Sequence, residues 1–357
     1  KKLRKKFRHI IHVNGTRGKS TTCRLIDAAI RGEGYKVFCK TTGTSPRIID
    51  VLGDEKPIIR KGKANIKEQI KILKEAARQG ADIVVIECMA VKPDLQYIAQ
   101  NKILNGDICI VTNARRDHLE EMGPTLEDVA ESLGNVMPKD GYFITAEERF
   151  ISYYKERGEK ENANVILAEK LEEDYGIDFS ENISIVLEVC KILDIDREAA
   201  IDKMKEYKRD PGVLKTFKIK GKNNNSIYFV NGFAINDPDS TINIYNYIND
   251  RGLFKDKDVI LMINNRRDRV YRMEQHVSLI KEIAPDRVWI SGYYKGLMKS
   301  KLVKKGVNEK IIDIIGYSFE MNLDCIEKDT VIFGIGNIAG SGEEILEYIE
   351  RVGDVYV

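Results

Sequence analysis

The stretch IIHVNGTRGKSTTCRLIDAAIRGEG, residues 10–34, decides how the rest of the chain is read. Residues 10–14 are short and mainly apolar, which predicts a buried strand ending at Asn14. Gly15-Thr16-Arg17-Gly18 then turns the chain, and a helix is expected from Lys19 to about Gly34. Glycines let the backbone turn tightly and aim N–H groups at an anion, and a helix N-terminus adds partial positive charge. In such a loop the amides of residues 15–20 cradle phosphates. Lys19 would neutralise the β- and γ-phosphates, and the hydroxyl of Ser20 or Thr21 would reach Mg2+. The complete G-x-x-x-x-G-K-[ST] pattern asks for glycine at position 13, where this chain has Val13. The core G-x-x-G-K-S-T is kept in a strand–turn–helix setting, which favours nucleotide binding over a helix start with chance glycines.

Outward from this unit, strand-length apolar runs alternate with helical stretches. A strand is expected near 35–41, a polar loop through 42–64, a helix near 65–79, and buried strands at 82–87, 107–113 and 141–145. Strands separated by helices imply right-handed crossovers and a mainly parallel sheet, so the fold class is α/β. Residues 181–207 read as two helices joined near Asp194–Arg197. After Arg209-Asp210-Pro211-Gly212 the texture changes. TFKIKGKNNNSIYFVN (216–231) predicts a β-hairpin turning at GKNNNS, and a second α/β alternation follows with strands at 258–263, 286–291 and 330–335. A boundary near 210–213 gives two domains, 1–211 and 212–357.

The 357 residues suit about two domains, each with its own core. Lys and Arg total 58 against 56 Asp and Glu, a balance that argues against a duplex-binding protein. No nucleic-acid partner is expected. No apolar run reaches the roughly 18 residues of a membrane span. The opening KKLRKKFRHI is basic over residues 1–8, which suits either the cytoplasmic flank of a membrane helix or a solubilising tail. Six cysteines form no CxxC pair and four histidines no HExxH, so reduced thiols are expected rather than a zinc site or disulfide framework. His9 and His12 flank the first strand and read as packing residues.

In a parallel sheet, ligands gather at the carboxyl ends of the strands. Glu87 ends one expected strand, and Asp117 and His118 lie just past the one ending at Asn113. If these strands neighbour the first, Glu87, His118 and the Ser20 and Thr21 hydroxyls converge. Carboxylate, hydroxyl and phosphate oxygens suit Mg2+, and an imidazole suits a second metal. The plainer readings are a helix cap for Glu87 and a loop residue bonded to Asp117 for His118. The hydroxyl-rich segment Thr41-Thr42-Gly43-Thr44-Ser45-Pro46-Arg47 can offer a hydroxyl to the metal and Arg47 to an anion, or be an ordinary surface turn.

Several ordered motifs together resemble the Mur ligase superfamily of ATP-dependent ligases, which join a carboxylate to an amine. They are GTRGKST, TSP (44–46), VIECMA (85–90), TNARRDHLEEMG (112–123), ENISIVLEVCKILDID (181–196), NGFAINDPDST (231–241) and NNRRDR (264–269). Within it, HVNGTRGKST, KTTGTSPRII, RKGKANIKEQ and VIECMAVKPDLQ are most similar to the ligase subunits of poly-γ-glutamate synthases. The resemblance implies a P-loop ATPase domain followed by a smaller Rossmann-like domain, with ATP and Mg2+ as cofactors. It implies that Ser20 or Thr21, Ser45 and Glu87 hold Mg2+, that His118 meets a second metal, and that Asn182 contacts nucleotide. Arg266, Arg267, Asp268 and Arg269 would reach the nucleotide from the second domain, with Arg266 and Arg267 stabilising transferred charge. His118 is also a candidate base.

The implied substrates are glutamate and a growing poly-γ-glutamate chain. Contacts are expected from Thr44, Arg47, Arg60, Asn65 and Asn236, with Lys61 and Lys63 beside them. From the sequence alone a solvated charge run is the stronger reading of Arg47, Arg60, Lys61 and Lys63. The segment 334–342 can hold a second anion near Ser341 on backbone amides, or mark tight strand–helix packing. Membrane subunits and a place at the cytoplasmic face of the cell membrane are implied, and self-association stays open. Two features depart from the superfamily. Ser132 stands where many members carry a carbamoylated lysine, with Lys139 nearby, and with the P-loop at residues 15–20 no UDP-sugar domain is expected. The alternatives are a folylpolyglutamate-synthase-like ligase, a nucleotide-dependent regulatory module and a plain P-loop kinase.

Overall fold

Strand β1, His9–Asn14, is buried on both faces, as a central parallel strand between helical layers must be. Ile11 and Val13 join one core cluster, while Ile10 joins another on the opposite face. In the computed structural model the described residues are 2–43, 46–60, 62, 64–209, 214–233, 235, 237–267, 272–316, 319–338 and 340–356. The chain divides into two units, residues 1–212 and 213–357.

The first unit continues with β2 Val37–Thr41, β3 Arg47–Ile49, β4 Glu55–Pro57, β5 Ile83–Glu87, β6 Ile108–Val111, β7 Tyr142–Thr145 and β8 Asn164–Leu167. Their order across the sheet is β4-β3-β2-β5-β1-β6-β7-β8. Only the β2–β3 and β3–β4 pairings are antiparallel, so β3 alone runs against the other strands, and the hairpin extends the edge beyond β2. Helix Lys19–Gly32 buries Cys23, Leu25, Ile26, Ala29 and Ile30. It packs on the sheet and against helices Ser180–Ile192 and Arg197–Lys205.

The expected polar loop 42–64 is corrected by the β3–β4 hairpin. Its strands are three residues long and one contains Pro57, so neither length nor alternation marks them. A buried cation helps to fix it: Arg24 donates to Glu55 Oε1 at 2.6 Å and to Oε2 at 3.2 Å. A guanidinium so buried requires such a partner. Strand β8, helix Pro93–Ile98 and the π turn Ala99–Leu104 likewise lie outside the expected elements.

His12 is a packing residue, as expected. It is fully buried, Nδ1 lies 3.0 Å from Gln100 Oε1, and burial lowers its pKa to about 4, so the ring is neutral at pH 7. His9 differs: it is half-buried and pairs with Asp107 at 2.7 Å. Part of the basic opening is also structural, since Arg4 pairs with Asp107 at 2.7 Å and Phe7 is buried. Among the described residues no helix is long and apolar enough to cross a membrane.

The second unit holds β9 Lys215–Lys220, β10 Ser226–Asn231, β11 Asp258–Asn265, β12 Arg287–Gly292, β13 Ile312–Ile314, β14 Thr330–Gly336 and β15 Asp354–Val355. Their order is β13-β12-β11-β14-β10-β9-β15. The hairpin expected at 216–231 is the antiparallel β9–β10 pair. The edge strands β13 and β15 are too short to be read from sequence.

Candidate functional site

The sheet order puts β1 between β5 and β6, both parallel to it. Val13 pairs with Glu87 and Asn14 with Val111, so the carboxyl ends of three strands meet at one level. The chain leaves β1 toward β2 on one side and leaves β5 toward β6 on the other, which opens a crevice at the strand ends. The condition for convergence of the P-loop, Glu87 and the 112–118 segment is therefore met.

Local chemistry shapes the loop. Gly15 has φ +127°, and a Cβ on it would stand 2.0 Å from Thr112 Oγ1. The next strand-end segment clamps the loop: Thr112 Oγ1 donates to Arg17 O at 2.6 Å and Asn113 Nδ2 to the same oxygen at 3.1 Å. Asn113 Oδ1 accepts from the Arg17 amide at 3.1 Å, and the Arg17 guanidinium meets Asp117 at 3.0 Å. Asn182 packs on the helix start, its Oδ1 lying 2.7 Å from where a Gly18 Cβ would be. Lys19 Nζ donates to Gly15 O at 2.6 Å and Thr16 O at 3.0 Å. Burial lowers its pKa from the ordinary lysine value, with the Glu87 carboxylate opposing that shift.

Ser20 Oγ donates to Glu87 Oε2 at 2.8 Å, and the Thr42 amide donates to the same oxygen at 2.5 Å. One hydroxyl and one carboxylate thus sit together at the helix start. Such hard oxygen donors fit Mg2+ when phosphate oxygens complete the shell. Among the described residues no three His, Cys, Asp or Glu side chains form a metal-holding group, so a site here would rely on that mixed set. His118 adopts φ +52°, its amide donates to Asp117 Oδ1 at 2.9 Å, and its ring lies 3.7 Å from Glu121.

A cavity of about 250 Å3 joins these parts, lined by Asn14, Gly15, Thr16, Arg17, Lys19, Glu87, His118 and Arg60 among others. Arg60 is not part of a solvated charge run: it forks onto Glu68 at 2.8 and 3.0 Å. Arg47 does not line this cavity and lies 3.9 Å from Glu55. Asn65 is exposed, with Oδ1 accepting from the Lys67 amide. Thr21 is half-buried in the first helical turn. Thr44, Ser45, Lys61 and Lys63 lie outside the described residues.

Ser132 is buried and accepts from Gln96 Nε2 at 3.0 Å, while Gln96 Oε1 accepts from Asn14 at 2.7 Å. Lys139 is not near this site. It precedes β7, at the opposite end of the parallel sheet, and is exposed beside Glu161 at 3.8 Å. The clamp by Thr112 and Asn113 and the Gln96 relay are parts the sequence reading missed; polar residues at the buried ends of β1 and β6 were the available signal.

In the second unit Arg266 and Arg267 follow the end of β11, the first half-buried and the second exposed. Asp268, Arg269 and Asn236 lie outside the described residues. Ser341 is the first residue of helix Ser341–Val352. The preceding turn is tied to β11, with Asn264 Nδ2 donating to Asn337 O at 2.5 Å. Close packing accounts for Gly336 and Gly342, where an added Cβ would stand 2.5 Å from Asn264 O and 2.6 Å from Asn337 O, whereas nothing lies within 4 Å of one on Gly340.

The Mur ligase middle domain model matches residues 13–204, and the model of the poly-gamma-glutamate synthase CapB C-terminal domain matches residues 216–352. The chain belongs to the CapB family of Mur ligases. It is 35% identical over 360 positions to the capsule biosynthesis protein CapB of Bacillus anthracis, covering 96% of this chain and 77% of that protein. It is 34% identical over 356 positions to the PGA synthase CapB of Bacillus subtilis (strain 168), covering 96% and 90%. In fold it is similar to E. coli FolC in complex with ADP, with a TM-score of 0.69 and 14% identity over 98% of this chain and 91% of that one. At that identity the likeness concerns the fold alone. CapB membership thus rests on both units, while the cavity described above belongs to the first.

Proposed function

We propose that this CapB-family chain is an ATP-dependent amide ligase that extends poly-γ-glutamate through γ-carboxyl linkages. The observation that carries the reading is the phosphate loop facing Glu87 across β1 and β5, in a chain aligned nearly end to end with CapB relatives.

A carboxylate is a poor acyl donor because oxide would have to leave. In the proposed reaction a γ-carboxylate oxygen attacks the γ-phosphorus of ATP and ADP departs, giving an acyl phosphate. The amine of glutamate then attacks the acyl carbon, loses a proton, and inorganic phosphate leaves. Phosphoryl transfer needs positioning and charge neutralisation more than a side-chain nucleophile. Lys19 and the amides of residues 15–20 supply both to the phosphates. Ser20 and Glu87 would hold Mg2+, which when bound neutralises phosphate charge. Thr21 and Ser45 are further candidate ligands, and Asn182 backs the loop behind Gly18. His118 stands at the cavity as the base for the incoming amine, or as a ligand of a second metal. Residues 1–211 would form the ATP-binding domain and 212–357 the ligase domain, with Arg266, Arg267, Asp268 and Arg269 serving the nucleotide and Asn236 and Ser341 the substrate. Thr44, Arg47 and Asn65 would contact the glutamyl chain. The working place is the cytoplasmic face of the membrane beside membrane subunits of a synthase, which the exposed Lys2, Lys5, Lys6 and Arg8 suit electrostatically.

The test measures ADP release from Mg2+-ATP with and without L-glutamate, D-glutamate and a short γ-glutamyl oligomer, with products read by mass spectrometry. Glutamate-dependent ADP release with a product heavier by one glutamyl unit is expected. Glutamate-independent release with no amide, also in membranes carrying a complete synthase, would contradict the reading.

A further inference from the structure

One wall of the cavity carries a charge arrangement that phosphate binding does not use. Lys40, near the end of β2, has 0% side-chain exposure, yet its ammonium lies 3.1 Å from Glu68 Oε1 and 3.3 Å from Gln69 Oε1. Glu68 opens helix Glu68–Arg78 and also receives the Arg60 fork, from Nε at 2.8 Å and Nη2 at 3.0 Å. Two cations therefore share one carboxylate. Arg60 lines the cavity and keeps 22% side-chain exposure.

A neutral Arg60–Glu68 pair would satisfy itself, and adding a fully buried lysine is costly unless it does something else. With Lys40 protonated, the trio carries a net charge of +1. Burial lowers the Lys40 pKa from its ordinary value, while Glu68 and, farther off, Glu87 favour the charged form. The Arg60 fork uses Nε and Nη2, so Nη1 takes no part in holding Glu68. A guanidinium held rigidly by one carboxylate, with excess charge behind it, is suited to a second carboxylate.

Resting on the ligase reading above, we propose that Arg60 receives a carboxylate of the glutamyl acceptor, and that Lys40 and Glu68 are its positioning residues. Lys40 holds Glu68 in place and prevents that carboxylate from cancelling the charge that Arg60 presents. The ligand class is a polycarboxylate acceptor, and the wall selects for acidic over amidated chain ends.

Steady-state kinetics on the full chain with Mg2+-ATP, glutamate and a short γ-glutamyl oligomer test this in wild type, Arg60→Met, Lys40→Met and Lys40→Arg. Arg60→Met and Lys40→Met should each raise the oligomer KM about tenfold or more, with kcat falling much less and the KM for ATP holding. Lys40→Arg should recover most of the loss, and the same variants should narrow the preference for the free over the amidated oligomer. An unchanged oligomer KM in Arg60→Met overturns the proposal, and that variant decides alone if Lys40→Met fails to fold. So does a Lys40→Met defect that falls equally on kcat and the KM for ATP. Amide formation by the wild type in the same assay would then leave the ligase reading standing. A wild type that forms no amide, also in membranes carrying a complete synthase, overturns both.

Discussion

Replacement of Lys19 by Ala is expected to lower ATP-dependent turnover about 10³-fold, the scale of losing a preorganised charge contact to a transferred group. Lys19 is the first residue of helix Lys19–Gly32 and its ammonium reaches back over Gly15 and Thr16, which places it against phosphates cradled by the same loop. The fold should not suffer in proportion. The ammonium is buried among backbone carbonyls, and burial disfavours its charged form, so truncation removes a desolvated charge rather than a core contact. The diagnostic is therefore a split. Thermal unfolding without nucleotide should change little, while the rise in Tm on adding Mg2+-ATP should shrink sharply. A variant that unfolds early but retains turnover per folded molecule would place the phosphate contact elsewhere.

Gly15→Ala should act by the opposite route, through the backbone. The residue sits at φ +127°, and the added methyl would stand 2.0 Å from Thr112 Oγ1 and 2.8 Å from the Thr112 amide nitrogen. A rotamer change relieves the first clash but not the second, so the loop and β6 must part. Overpacking and left-handed strain together should cost about 3 kcal/mol. The hydrogen bonds from Thr112 and Asn113 to Arg17 O break with that movement, so nucleotide affinity falls along with stability. Gly34→Ala is the control: φ is +84° but nothing lies within 4 Å of the new methyl, leaving only the strain, about 1 kcal/mol. Chemical unfolding of the two variants should differ accordingly. Equal costs would mean that contact with Thr112 contributes nothing.

What could be read in advance was whatever sits locally in sequence. The run ending at Asn14, the turn to Lys19 and the helix behind it combine apolar length, glycines and a helix start within one contiguous segment, and β1 and the helix Lys19–Gly32 lie there. Glu87 was legible because it ends an unbroken β-branched strand, and β5 does pair beside β1. The β3–β4 hairpin was not, because three-residue strands with Lys56 and Pro57 carry no periodicity. It is fixed instead by a long-range ion pair with Arg24. Arg60 was misread as a solvated charge for the same reason: its partner Glu68 is itself held by Lys40, and no local pattern announces that a lysine in a strand is buried. Family likeness singled out Asn182 as a nucleotide contact, but its packing against Gly18 was not legible, since 164 positions separate the two residues.

The most direct test of the central claim follows oxygen. A γ-glutamyl oligomer labelled with 18O in its terminal γ-carboxylate is incubated with the chain, Mg2+-ATP and glutamate, and both products are analysed by mass spectrometry. If the loop of residues 15–20 serves acyl-phosphate formation, each amide bond made should deliver one 18O atom to inorganic phosphate. Amide formation with phosphate free of label would contradict that mechanism.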